Sequence, residues 1–272
     1  MEVELLLFVG TLCIAGAIAG ITAGLFGNGG GFVVVPALLA VVPFFTESSG
    51  DLIKVAIGTS LASIVVSSAR SVQAHKKMNT VDFAILKDWS VWLVIGVLIG
   101  LYIASKTSPE SLILVFATGV LFYSIYFLFP GIFSGSSNTL TMPQGAFKAG
   151  LASFLGGFSA LLGIGGGTIT VMTMVICNRS VHQAVATAAG VGFIIGLPGA
   201  IGFLLMGHNV NNLPYGTFGY INLPALVAIS AGSILTAPIG AKWAHSLDEV
   251  SLKRMFGLYL VVVSISMYYK AF

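Results

Sequence analysis

The chain has 272 residues, 57% of them hydrophobic and only 8% charged, with a mean hydropathy of +1.01. A soluble domain carries about 25% charged residues, so no soluble core could hide this much apolar surface. The net charge is +3 and no basic run suits a nucleic acid; Cys13 and Cys177 both sit in apolar stretches and read as small buried hydrophobes rather than a disulfide pair.

Long apolar runs broken by short polar stretches predict an all-α polytopic membrane protein. A transmembrane barrel would alternate polar and apolar residues, and runs such as FAILKDWSVWLVIGVLIGLYI do not. In chain order the apolar segments cover 4–26, 31–45, 52–74, 82–105 and 109–129, then 145–163, 167–178, 181–207, 220–243 and 249–271. The acidic N-terminus, MEVELLLF, lacks the basic start of a signal peptide and reads as part of a retained segment.

The two sets of five resemble each other. GLFGNGGGFVVV (24–35) aligns with ALLGIGGGTITV (160–171), placing Gly27, Gly29, Gly30 and Gly31 on Gly163, Gly165, Gly166 and Gly167. AIGTSLA (56–62) then aligns with AVATAAG (184–190), with Thr59 on Thr187 and Ser60 on an alanine. Gly100 and Phe116 fall on Gly240 and Phe256. Residues 3–128 therefore read as a first repeat, 129–147 as a Gly-, Ser- and Pro-containing linker, and 148–271 as a second repeat, together forming one membrane domain.

Loop charge orients the repeats. Arg70, Lys76, Lys77 and Lys87 cluster between the third and fourth segments, whereas the equivalent loop of the second copy, GHNVNNLPYGTFG, has no Lys or Arg. Equivalent loops on opposite sides mean inverted repeats. With the N-terminus outside, nine of the twelve Lys and Arg lie inside and only Lys54, Lys106 and Lys270 lie outside, as expected for a multi-pass protein of the plasma (inner) membrane. That count fits either two full crossings per glycine-linked pair or a hairpin that enters and returns. The second segment of each copy falls well short of the roughly 20 residues a crossing needs, which favours the hairpin.

Glycine costs about 1 kcal/mol against alanine inside a helix, so its clustering at the start of both short segments needs a reason. Irregular backbone at membrane depth is tolerated where it lines a cavity or is buried in protein. There the free N–H groups and positive dipole ends of two half-helices would bind an anion. The candidate substrate-binding residues are Gly27, Asn28, Gly29, Gly30, Gly31 and Phe32 in the first copy and Gly163, Gly165, Gly166, Gly167 and Thr168 in the second. Thr59, Ser60 and Thr187 add hydroxyls from the third and eighth segments.

No Asp or Glu sits deep in a segment. Glu47, Asp51, Asp82, Asp88, Glu110, Asp248 and Glu249 fall in loops or near ends, and His75, His182, His208 and His245 lie in loops or at segment ends, where solvated or interfacial roles are expected. No metal spacing, nucleophile triad or dinucleotide fingerprint occurs, so neither an enzyme nor a cofactor is expected. The expected partners are a small anion and the lipid bilayer; the residues leave open a homodimer and a coupling proton or ion.

GLFGNGGGFVVVPALL, AIGTSLASI, HKKMNTVDFAIL, LLGIGGGTITV and the long run GYINLPALVAISAGSILTAPIGAKWAHSLDEVSLKRMF follow in order along nearly the whole chain. Together they resemble the sulfite exporter TauE/SafE-like family of membrane permeases. The resemblance implies a bacterial-type permease for sulfite, sulfonates or related anions, with the two glycine loops as its site. Met172 stands where the first copy has Pro36, so the expected pocket is asymmetric. An anion channel of the same architecture and a non-transporting membrane subunit are the alternatives.

Overall fold

The computed structural model describes residues 2–45, 51–129, 141–244, 246 and 249–271. Most of the linker, with Glu47, His245 and Asp248, lies outside the described residues. The protein is an all-α polytopic membrane protein. Among the described residues the helices are α1 (Glu2–Phe26), α2 (Gly31–Val41), α3 (Leu52–Lys76), α4 (Phe83–Lys106), α5 (Pro109–Leu128), α6 (Gly145–Leu162), α7 (Gly167–Ile176), α8 (Val181–Met206), α9 (Leu223–Trp243) and α10 (Glu249–Ala271). Two two-residue strands, Thr217–Phe218 and Ile221–Asn222, pair in the α8–α9 connection.

Seven of these helices, α1, α3–α6, α8 and α9, are long and apolar enough to cross a membrane. The short helices α2 and α7 have 11 and 10 residues, a rise of about 15–16 Å, roughly half a bilayer core. Local signals set most helix starts. The Asp82 carboxylate accepts from the amides of Ala84 and Ile85 to open α4, Ser108 opens α5 ahead of Pro109, Ser180 opens α8 and Asn222 opens α9.

Small residues decide how the helices pair. A Cβ on Gly16, Gly20 or Gly24 of α1 would strike Ile229, Ser233 and Ala237 of α9 in turn, so these helices lie backbone to backbone and parallel. On the other side of the molecule Gly96 and Gly100 of α4 meet Ser153 and Gly157 of α6, again parallel. Helices α5 and α10 run antiparallel: Gly257 backs onto Leu128, and Ser264 donates to the Ala117 carbonyl at 2.8 Å. Helices α3 and α8 cross the centre antiparallel, with Leu61 against Gly199 and Ser68 against Gly192. Under the correspondence read from the sequence, α1–α9 maps onto α6–α4, α3–α9 onto α8–α4, and α2–α3 onto α7–α8. The pairs α3–α8 and α5–α10 map onto themselves.

Both short helices double back. The end of α1, the end of α9 and the start of α10 meet around one cavity lined by Phe26, Trp243 and Lys253, and Phe26 stacks on Phe256 at 4.9 Å. From there α2 runs alongside α10: Phe32 meets Phe256 at 6.1 Å, and further along Lys270 donates to the Leu39 carbonyl. Helix α2 therefore returns towards the side from which α1 came. Likewise α7 ends with the Cys177 thiol 3.5 Å from the Thr141 carbonyl, just ahead of the start of α6. The two hairpins open to opposite ends of the bundle.

Candidate functional site

The hairpin tips share one backbone conformation. Gly27, Gly29 and Gly30 have φ of 65°, 71° and 81°, and Gly163, Gly165 and Gly166 have 66°, 70° and 73°. Each is left-handed, a conformation open to glycine at little cost. The helices that follow start at Gly31 and Gly167, and neither carries a side-chain cap. The first amides of a helix have no intrahelical partner, and a buried helix end without caps calls for some other acceptor. Both ends are buried: residues 22–36 and 162–168 are without exception shielded.

The tips touch each other reciprocally. A Cβ on Gly31 would lie 2.2 Å from the Gly163 carbonyl oxygen and 2.7 Å from the Ile164 Cα. A Cβ on Gly167 would lie 2.0 Å from the Gly27 carbonyl oxygen and 2.5 Å from the Asn28 Cα. Only glycine permits this approach from both sides.

Three polar side chains of the expected set come together at the tips. The Asn28 carbonyl oxygen accepts from the Gly30 amide at 3.0 Å and fixes the turn, which leaves its buried amide nitrogen with no partner. The Thr168 hydroxyl, in the first turn of α7, is also buried and unpartnered. Ser60 donates to the Gly163 carbonyl at 2.7 Å and so braces the second tip from α3.

The other expected residues are engaged elsewhere. The Thr59 hydroxyl accepts from the Asn222 amide at 2.9 Å, and the Thr187 hydroxyl accepts from the Asp82 amide at 2.9 Å. Thr59 thus ties α3 to the residue that caps α9, and Thr187 ties α8 to the residue that caps α4. Phe32 is fully buried against Tyr123 at 5.0 Å and Phe256 at 6.1 Å. Pro36 lacks the amide that would have bonded the Phe32 carbonyl, and the Tyr259 hydroxyl donates to that oxygen instead at 3.4 Å. His75, expected at a solvated segment end, is fully buried, its Nε2 lying 3.3 Å from the Gly24 carbonyl.

A cavity of about 30 Å³, room for one water, reaches Thr168 from the end where α9 stops and α10 begins. Its walls include Phe26, Tyr126, Phe127 and Trp243, with His182 and Lys253 among them. Sequence reasoning passed over Lys253 and Trp243 because they belong to segments far along the chain. Their recurrence at the same end as Arg179 and Lys242 was the available signal. Among the described residues no group of three His, Cys, Asp or Glu is placed to hold a metal ion.

Half-helices meeting tip to tip inside a bundle of membrane spans define a multi-pass membrane transporter. The family model described as sulfite exporter TauE/SafE matches residues 12–267, and the chain belongs to this family. A "Probable membrane transporter protein" of Haemophilus influenzae is 32% identical over 95% of this chain and 98% of its own. One of Methanocaldococcus jannaschii is 27% identical over 98% of each chain, and the Bacillus subtilis protein YunE, described in the same words, is 24% identical over 95% of this chain and 97% of its own. No solved structure matches.

Proposed function

We propose that the protein carries a small sulfur-containing anion, a sulfonate, sulfite or relative, across the plasma membrane by alternating access, bound between the two glycine tips. The observation that carries this is the pair of buried, uncapped helix starts at Gly31 and Gly167, beside the unpartnered amide of Asn28 and hydroxyl of Thr168. Each buried donor left unmade costs about 1–3 kcal/mol. An anion that accepts from several of them offsets those costs together with its own desolvation. Main-chain donors of Gly29 and Gly31 and of Gly165 to Gly167 replace its water, while Asn28 and Thr168 orient it.

The approach from one end is marked by the cavity beneath Thr168, lined by His182, Lys253 and aromatic rings; with room for one water it must widen to admit the anion. The described cavity meets the tips from that end, which supports a carrier over an open channel. The nine cations at that end read as cytoplasmic, with the N-terminus outside. Helices α3–α5 rocking against α8–α10 would expose the tips to the other face.

Uptake into proteoliposomes across sulfite, sulfate, thiosulfate, sulfoacetate, taurine, acetate and lactate tests the reading. Saturable flux of a sulfur oxyanion with counterflow is the expected result. Flux that never saturates would favour a channel, and no flux of any anion from folded protein would favour a non-transporting subunit.

A further inference from the structure

The residues around the cavity beneath Thr168 have counterparts at the other end of the bundle. Thr168, Val171, Val181, His182 and Val185 line the cavity. By the glycine and Thr59–Thr187 registers they correspond to Phe32, Val35, Ile53, Lys54 and Ile57. The two sets shoulder the tips in the same manner. A side chain starting on Gly27 would meet the Val185 carbonyl oxygen at 2.4 Å, and one starting on Gly163 would meet the Ile57 Cα at 3.2 Å. They differ in packing: Phe32, Val35, Ile53 and Ile57 are each 1% exposed or less, so this second approach to the tips is packed shut.

His182 and Lys54 occupy matching places in the two sets. Both sit in the first turn of the helix that follows a hairpin, where the positive dipole end disfavours a cation, so a cation there needs a reason. Lys54 precedes Ile57 by about one turn and lies outward of the tip that Ile57 touches. Its side chain is only 13% exposed, with Nζ 3.0 Å from the Asp51 carboxylate. Tyr220, itself buried, donates its hydroxyl to the same carboxylate at 2.8 Å and presents its ring to Lys54 at 5.6 Å. In the second copy Arg179 stands where the first has Asp51. An acid therefore neutralises Lys54 at one end, whereas a further cation accompanies His182 at the other.

We propose that Lys54 is the anion's contact on the closed approach, in the place His182 takes beside the cavity, and that Asp51 and Tyr220 form the latch that holds this approach shut. A single ion pair near a helix start is weak, so it can open; the tyrosine hydroxyl and ring bias it towards the closed side. On opening, Lys54 exchanges one negative partner for another, the Asp51 carboxylate for the anion. An anion that binds only the open arrangement shifts the balance towards it, so the empty carrier stays latched and the loaded one does not. The role of Lys54 towards an anion rests on the anion-carrier reading, but the latch itself does not.

Labelling of a single cysteine tests both halves. Val35→Cys, in the full-length protein with Cys13→Ala and Cys177→Ala, puts a thiol of similar size on the closed approach. A membrane-impermeant thiol reagent, applied to vesicles of either orientation, should react with it slowly and only from the face on which α3 begins. Asp51→Asn and Tyr220→Phe should each raise that rate about fivefold or more. Lys106→Gln, a cation at the end of α4 and outside the latch, should leave it unchanged. Sulfoacetate, a sulfonate without a thiol-reactive group, should slow the labelling of the Asp51→Asn protein, and adding Lys54→Gln should raise the concentration needed about tenfold. Faster labelling in both latch variants without protection by sulfoacetate, sulfate or taurine would keep the latch and contradict the carrier reading. Unchanged labelling in both, at unfolding midpoints that show them folded, would overturn the latch. Protection that ignores Lys54→Gln would remove Lys54 from the anion's path.

Discussion

Gly31 and Gly163 belong to different hairpins, yet they are so close that a methyl group on the first would lie 2.2 Å from the carbonyl oxygen of the second. Gly167 and Gly27 repeat the contact at 2.0 Å. The obstacle is backbone in both cases, and it cannot rotate away as a side chain could. Gly31→Ala and Gly167→Ala should therefore each cost about 1–3 kcal/mol or more and abolish transport at equal expression. Gly10→Ala, with nothing within 4 Å of the new methyl, is the control and should leave both unchanged. Midpoints in detergent and flux in proteoliposomes check the pair together.

Thr168→Val separates binding from stability. The hydroxyl is buried without a partner, so losing it removes a desolvation cost of about 1–3 kcal/mol rather than a protein contact. Stability should hold or rise, while the KM for the anion rises about tenfold. A KM unchanged by this substitution would remove Thr168 from the site.

Thr59→Val and Thr187→Val should behave in the opposite way. Each strands a backbone amide, that of Asn222 and that of Asp82. Asn222 is buried and Asp82 only half-buried, so the first should cost about 1–3 kcal/mol and the second less. The anion KM should stay the same in both. A large KM change with unaltered stability would return these hydroxyls to the binding site.

Much of this was legible in the chain. The glycine alignment placed Gly27 on Gly163 and Gly30 on Gly166, and their φ angles agree to within 8°. Short segments and turn glycines are local features, and local features survive reading in one dimension. What Thr59 touches is not local: its partner Asn222 lies 163 residues away, and no spacing rule reports it. Phe32 beside the glycines read as a pocket wall, but Tyr123 and Phe256, brought in from α5 and α10, enclose it. The predicted segment from 220 starts as a helix only at Leu223, because Ile221 and Asn222 are held in the strand pair. The serines of α3 were visible at their spacing, but that Ser68 packs directly onto Gly192 of α8 was not.

The α8–α9 connection supplies a pH dependence. The Tyr220 hydroxyl donates to Asp51 at 2.8 Å. Burial first, then that hydrogen bond and the carboxylate charge, push its pKa above the ordinary tyrosine value. A pKa raised by folding favours the protonated, folded form. This stabilisation is complete below the unfolded tyrosine value, about 10, and is lost as pH rises beyond it. Unfolding midpoints should therefore fall above that pH, and Tyr220→Phe should flatten the fall. An identical alkaline slope in the variant would assign the effect to other groups.

The central claim is that the two tips together hold the anion, and equilibrium binding of a radiolabelled transported anion to the solubilised protein tests it most directly. Asn28→Asp keeps the oxygen that accepts from the Gly30 amide and so preserves the turn. It removes the one unpartnered donor of that side chain and adds a negative charge. The account predicts one anion bound per chain in the unaltered protein and none detectable in folded Asn28→Asp. Equal binding by the two proteins would contradict it.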